Sequence, residues 1–159
     1  MNTVKIDAVD DSATILQVIR AELRDPSKPL SLLVRFVVEA SDGEKVEASF
    51  GKARLLTLNE PGCRAYVLNR DPRDPRRFVV YEQWQSLADL EAHFRKDYFS
   101  TVRAELNQLI VGAPELQVLL PPACMAAKRG SVAAVATEHI AMKPTPPYAS
   151  GGACRLMQP

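Results

Sequence analysis

The chain has 159 residues, 47% hydrophobic and 25% charged, with twenty Lys+Arg against nineteen Asp+Glu for a net charge of +1. That length fits one domain, which typically runs to about 100–150 residues. So weak a charge bias speaks against a dedicated nucleic-acid or membrane-surface protein, and no run approaches the roughly 18 consecutive apolar residues of a membrane span.

From the N-terminus, MNTVKIDAVDD has neither a basic region before an apolar run nor the Arg-rich, acid-poor character of a transit peptide. A soluble, cytoplasmic protein is expected, without nucleic-acid or membrane partners. Val4, Ile6 and Ala8 alternate as in a short strand, and Ser12 can cap a helix with Ile15, Leu16, Ile19 and Leu23 on one face. Asp25-Pro26 ends it, because the residue before proline is pushed out of the helical region. Residues 1–28 therefore read as an N-terminal extension carrying an amphipathic helix.

The segment 29–120 has the clearest grammar. Leu30–Glu39 is a β-rich strand interrupted by one charge, Arg35. Glu44 to Leu58 places Val46, Phe50, Ala53, Leu56 and Leu58 near helical spacing, and Asn59-Glu60-Pro61-Gly62 stops it. Cys63–Arg70 and Phe78–Trp84 are strands flanking a loop, Asp71-Pro72-Arg73-Asp74-Pro75, that proline keeps out of the sheet. Ser86 and Asp89 approximate a capping box. The helix beyond it carries Leu87, Leu90, Phe94 and Tyr98, continues through Val102, Leu106, Leu109 and Ile110, and stops at Gly112-Ala113-Pro114. Leu116–Leu120 is a fourth strand. This β-α-β-β-α-β order is the split βαβ, ferredoxin-like arrangement of the α+β class. One sheet face carries the helices. The other needs a cover, either a second copy of the sheet or the helix of residues 12–24.

Residues 121–159 hold six of the twelve prolines, Gly151-Gly152 and a run of alanines. This basic, Ala/Pro-rich tail reads as a weak helix around Ser131–Met142 and a disordered end.

Motif chemistry is sparse. Cys63, Cys124 and Cys154 are odd in number and widely spaced, unlike a disulfide framework or a zinc site. His93 and His139 are the only imidazoles, so no metal centre is expected. GxGxxG, GxxxxGK[ST] and GxSxG are all missing from the sequence.

Glu60-Pro61-Gly62-Cys63 opening a strand, Asp74-Pro75, then Phe78-Val79-Val80-Tyr81-Glu82-Gln83-Trp84-Gln85-Ser86 and Glu91-Ala92-His93-Phe94 together resemble the antibiotic biosynthesis monooxygenase domain. Proteins named as quinol monooxygenases belong to the same family. The resemblance covers roughly residues 29–120 and implies a ferredoxin-like homodimer whose sheets pair face to face in an α/β barrel. It also implies oxygenation of phenolic or polycyclic aromatics by O₂ without metal or flavin, hence no cofactor. Other members degrade heme, isomerise small sugar phosphates or have no known activity. The heme-degrading pattern has an asparagine in the first strand, a tryptophan at the position of His93 and a histidine further along the helix. Leu30–Glu39 has no asparagine and Val102–Ile110 no histidine, so heme degradation is disfavoured.

Under this resemblance His93 is the candidate base or hydrogen-bond partner, because a neutral imidazole can take a phenolic proton near pH 7. A continuous helix would set Asp89 and Asp97 above and below its ring. The structural alternative is an edge position, about 100° from the centre of the apolar stripe. Arg35 is either a phenolate stabiliser or an ion-pair partner of Glu39 or Glu82. Tyr81 and Trp84 fall on opposite faces of their strand and, with Phe94, Tyr66 and Tyr98, are candidate pocket walls. Tyr98 stands where many relatives have a second histidine. The function expected is cofactor-independent monooxygenation of a quinol-like or polycyclic phenol. The alternatives are a non-catalytic dimeric binding or assembly module of the same fold, and a small-molecule isomerase.

Overall fold

Alternating apolar side chains in residues 30–37 and 77–84 commit these segments to neighbouring strands with one buried face each. In the computed structural model, which describes residues 3–6 and 12–122, the order is β1 (Thr3–Lys5), α1 (Ser12–Glu22), β2 (Leu30–Val37), α2 (Gly43–Leu58), β3 (Cys63–Arg70), β4 (Arg77–Trp84), α3 (Leu87–Phe94), α4 (Asp97–Asn107) and β5 (Glu115–Leu119). The expected helix at Ser131–Met142 lies outside the described residues, as do Ala8, Cys124, His139 and Cys154. The sheet is antiparallel throughout, in the order β1-β5-β2-β4-β3. Without β1 this is the ferredoxin-like order, as the sequence predicts. β1 extends it at the edge by pairing Val4 with Leu116.

Leu32, Val34 and Phe36 of β2, Phe78, Val80 and Trp84 of β4, and Leu116 of β5 face the helices and form two apolar clusters with them. α1 joins the first of these through Ile15 and Ile19, beside Leu32, Trp84 and Leu116. The N-terminal helix thus packs on the same face as the other helices and is not the cover for the opposite face. That opposite face carries the residues of the other parity, among them Leu33, Arg35, Val37, Val79, Tyr81 and Gln117.

Two helical expectations need correction. α2 buries Val46, Ser49, Phe50, Ala53 and Thr57, while Leu56 and Leu58, expected on its apolar face, are 52% and 36% exposed. Ala53 can be followed on one helix face by residue 56 or 57. Thr57 takes the inward place because its hydroxyl donates to the Ala53 carbonyl at 3.0 Å and lies 3.3 Å from the Tyr98 hydroxyl. The long helix expected after Ser86 is two helices. α3 closes when Lys96 N–H bonds the His93 carbonyl at 3.0 Å, and Lys96 adopts extended geometry (φ −77°, ψ 132°) before α4 begins. Among the described residues no helix is long and apolar enough to cross a membrane.

Because Ile19 is fully buried between α1 and the sheet, Ile19→Ala is expected to lower unfolding free energy by about 2–5 kcal/mol. Urea denaturation of the full chain measures this. An unchanged midpoint would show that α1 is not part of the core.

Candidate functional site

The polar centre of the molecule is assembled by one turn and one helix break. Asn59–Cys63 leaves α2 through Gly62, whose φ of +81° favours glycine, and a side chain there would run into the Asp89 carboxylate. Asp89 is itself fixed at the start of α3, where its N–H bonds the Ser86 hydroxyl at 3.3 Å and its carboxylate accepts from the same hydroxyl at 2.6 Å. This turn aims Glu60 inward, with its side chain 8% exposed. The break after Phe94 brings Tyr98 and Phe99 back against α3.

His93 is fully buried where these elements meet, and its Nδ1 lies 3.0 Å from Glu60 Oε1. The Tyr98 hydroxyl donates to the same oxygen. Rings surround the imidazole, with Phe99 at 4.3 Å and Trp84 at 4.8 Å between centroids, and Tyr66 edge-on at 5.7 Å. Its Nε2 is buried without a hydrogen-bond partner. The edge position and the flanking Asp89 and Asp97 are thus corrected. A helix of eight residues leaves no Asp97 one turn on, and the partner is Glu60, from a different element.

Glu82, on β4, is also buried and accepts from Trp84 Nε1 at 3.0 Å. Burial holds its carboxyl proton above the usual range, partly offset by His93 and the Trp84 bond. Burial likewise pushes the Tyr66 phenol far up, and the Cys63 thiol up to about 11, so that Cys63 is not a ready nucleophile.

Beside this layer an apolar cavity of about 130 Å³ lies between the sheet and helices α1, α2 and α4. Leu32, Val34 and Leu116 form its floor, and Phe50, Tyr66, Phe94 and Phe99 its aromatic walls. Its polar residues include Glu82, Arg103 and Asn107. His93 is not on the wall, but Tyr66, Phe94 and Phe99, which touch its ring, are.

The structure therefore gathers His93, Tyr66, Trp84, Phe94 and Tyr98 in one region. Arg35 and Tyr81 lie on the opposite sheet face. Arg35 Nη1 donates to Gln117 Oε1 at 3.1 Å, not to Glu39 or Glu82, because residues 35 and 82 have opposite parity across the β2–β4 register. Tyr81 pairs its hydroxyl with Ser31 at 3.3 Å. The cation beside the cavity is Arg103, whose Nη1 donates to the Ser12 hydroxyl at 2.8 Å. It sits inside the stripe Phe99, Val102, Leu106, Ile110, and a charge embedded in such a stripe is a signal available in the sequence. Among the described residues no three His, Cys, Asp or Glu side chains are grouped to hold a metal ion.

Residues 29–105 match the antibiotic biosynthesis monooxygenase family. Members of this family are often monooxygenases. Among solved structures, a provisionally named antibiotic biosynthesis monooxygenase of Nitrosomonas europaea is 19% identical with a TM-score of 0.58, over 64% of this chain and 97% of that one. A conserved Bacteroides thetaiotaomicron protein of unknown function is 22% identical with a TM-score of 0.55, over 58% and 97%. At these identities the likeness is one of fold. An uncharacterized protein of Synechocystis sp. is 28% identical over 60 residues, 38% of this chain and 41% of that relative's length.

Glu82 supplies a pH test. A carboxyl that keeps its proton in the fold above its ordinary value of 4.5 binds more protons folded than unfolded. Its presence therefore costs increasing stability as pH rises above that value. Glu82→Gln is expected to gain stability relative to wild type as pH rises above the ordinary carboxyl value of 4.5, followed by urea denaturation at each pH. A difference that stays flat or shrinks would show that Glu82 ionises freely in the fold.

Proposed function

We propose that this protein is a monooxygenase that oxidises a quinol-like aromatic with O₂ and no added cofactor. The observation that carries the reading is an apolar, aromatic-walled cavity of about 130 Å³ beside a buried imidazole and two buried carboxyl groups. An apolar cavity of about 150 Å³ holds benzene, so the volume suits a single ring better than a polycyclic substrate.

In the chemistry proposed, a hydroquinone and O₂ give a hydroxybenzoquinone and water. One oxygen atom enters the ring, the other leaves as water, and the substrate supplies every electron. The phenolic proton must leave first, because a phenolate reduces O₂ far more readily than a phenol. His93 serves as base in this reading, with Glu82 as the acid–base group on the cavity wall. Arg103 takes the phenolate-stabilising role that the sequence suggested for Arg35. The phenylalanines exclude water that would otherwise screen these charges.

One observation favours a non-catalytic binding module instead: His93 is not among the residues of the cavity wall. Turnover distinguishes the two. With a panel of hydroquinones and anthrones, aerobic incubation is expected to yield product carrying one atom from ¹⁸O₂, anaerobic incubation none. His93→Ala should lower the rate about 10²–10⁴-fold. Equal product without O₂ would indicate an isomerase, and no turnover by wild type would leave a binding module.

We also propose that the face carrying Leu33, Val37, Val79 and Tyr81 pairs with a second copy. Val67, on the neighbouring β3, is 39% exposed. Sedimentation should give twice the 17.5 kDa chain mass and a monomer for Val67→Glu. A wild-type monomer would refute the pairing.

A further inference from the structure

Glu60 Oε1 receives two polar groups, the Tyr98 hydroxyl and His93 Nδ1. The hydroxyl donates to it. A carboxylate has no proton to give, so the ring nitrogen 3.0 Å away must donate as well. A neutral imidazole with its proton on Nδ1 has a bare lone pair on Nε2, and Nε2 is the one buried side-chain polar atom without a partner among the described residues. A native structure seldom leaves such an atom idle unless a ligand or an ordered water completes it.

We propose that Glu60, held by Tyr98, is the positioning residue that fixes His93 as the Nδ1–H tautomer and keeps Nε2 as an acceptor for a hydroxyl-bearing ligand. Its catalytic consequence rests on the monooxygenase reading above; the tautomer itself does not. The other titratable groups close to the ring agree with this assignment. Glu82 accepts from Trp84 and so does not compete with Glu60 for the ring, and Tyr66 meets the ring edge-on. Cys63 keeps its proton. The elements that carry Glu60 and His93 are both pinned, the first by Gly62 and the second by the Ser86–Asp89 cap. The ring is thus held against rotation, and Tyr66, Phe94 and Phe99 are side chains that touch both it and the cavity.

The test is ¹⁵N NMR of imidazole-labelled full-length protein carrying His139→Gln, so that His93 is the one imidazole observed. At alkaline pH the neutral ring should show a protonated Nδ1 and an unprotonated Nε2. Glu60→Leu should shift the ring toward the Nε2–H form, whereas Glu60→Gln, whose amide oxygen still accepts, should retain Nδ1–H. An Nε2–H ring in the parent protein overturns the proposal even if Glu60→Leu fails to fold, and so does a folded Glu60→Leu with an unchanged spectrum. With a hydroquinone that turns over, Glu60→Leu should lower kcat about tenfold or more with KM little changed, and Glu60→Gln should recover most of the loss. An Nδ1–H ring without any oxygenation would sink the monooxygenase reading and leave the positioning role standing.

Discussion

An imidazole and a carboxylate buried side by side are stable only if their remaining polar atoms find partners, since removing a charge from water costs several kcal/mol even after relaxation. In this protein Glu60 and His93 meet that condition on one side and not on the other. Glu60 collects two donors, one from α3 and one from α4. Much of the local backbone serves that meeting. The left-handed Gly62 turns the chain so that Glu60 points inward, the Ser86–Asp89 cap sets where α3 starts, and the break at Lys96 returns Tyr98 to the carboxylate. A residue with a Cβ at 62, or an unbroken helix through 95–97, would dismantle the arrangement.

The apolar cavity and the polar layer depend on each other. Tyr66 stacks on Phe50 at 4.6 Å and Phe94 on Phe99 at 4.8 Å, so the walls are rings that keep water from the buried groups. Burial lets Glu82 stay protonated further up the pH scale. α1 adds Ile15 and Ile19 to the wall. The N-terminal segment is for that reason a wall of the cavity and not an appendage to it.

Much of the fold was legible because strands of period two and the proline-bearing loops leave few alternatives. Leu32, Val34 and Phe36 alternate with Leu33, Arg35 and Val37, and the sheet order follows from connecting such strands. The family resemblance was legible because the residues that carry it form short contiguous runs, on the turn into β3, along β4 and at the end of α3. The site was harder. The pairing of Glu60 with His93 joins residues 33 positions apart, and no periodicity reports a contact between a turn and a helix. The helix break is written only in Arg95-Lys96-Asp97, which an ordinary helix tolerates. A charge in an apolar strand looks functional, and parity sends Arg35 to the face away from this cavity. Arg103 was legible in principle, as a charge inside the stripe Phe99, Val102, Leu106, Ile110.

We propose that ligand binds in the cavity between the sheet and α1, α2 and α4. A crystal structure of the full chain grown without oxygen in the presence of a fluorinated hydroquinone should then show the ring against Phe50, Tyr66 and Phe99, with a hydroxyl within hydrogen-bond distance of Glu82 or of His93 Nε2. A ring bound instead on the opposite sheet face, beside Arg35 and Tyr81, would contradict it.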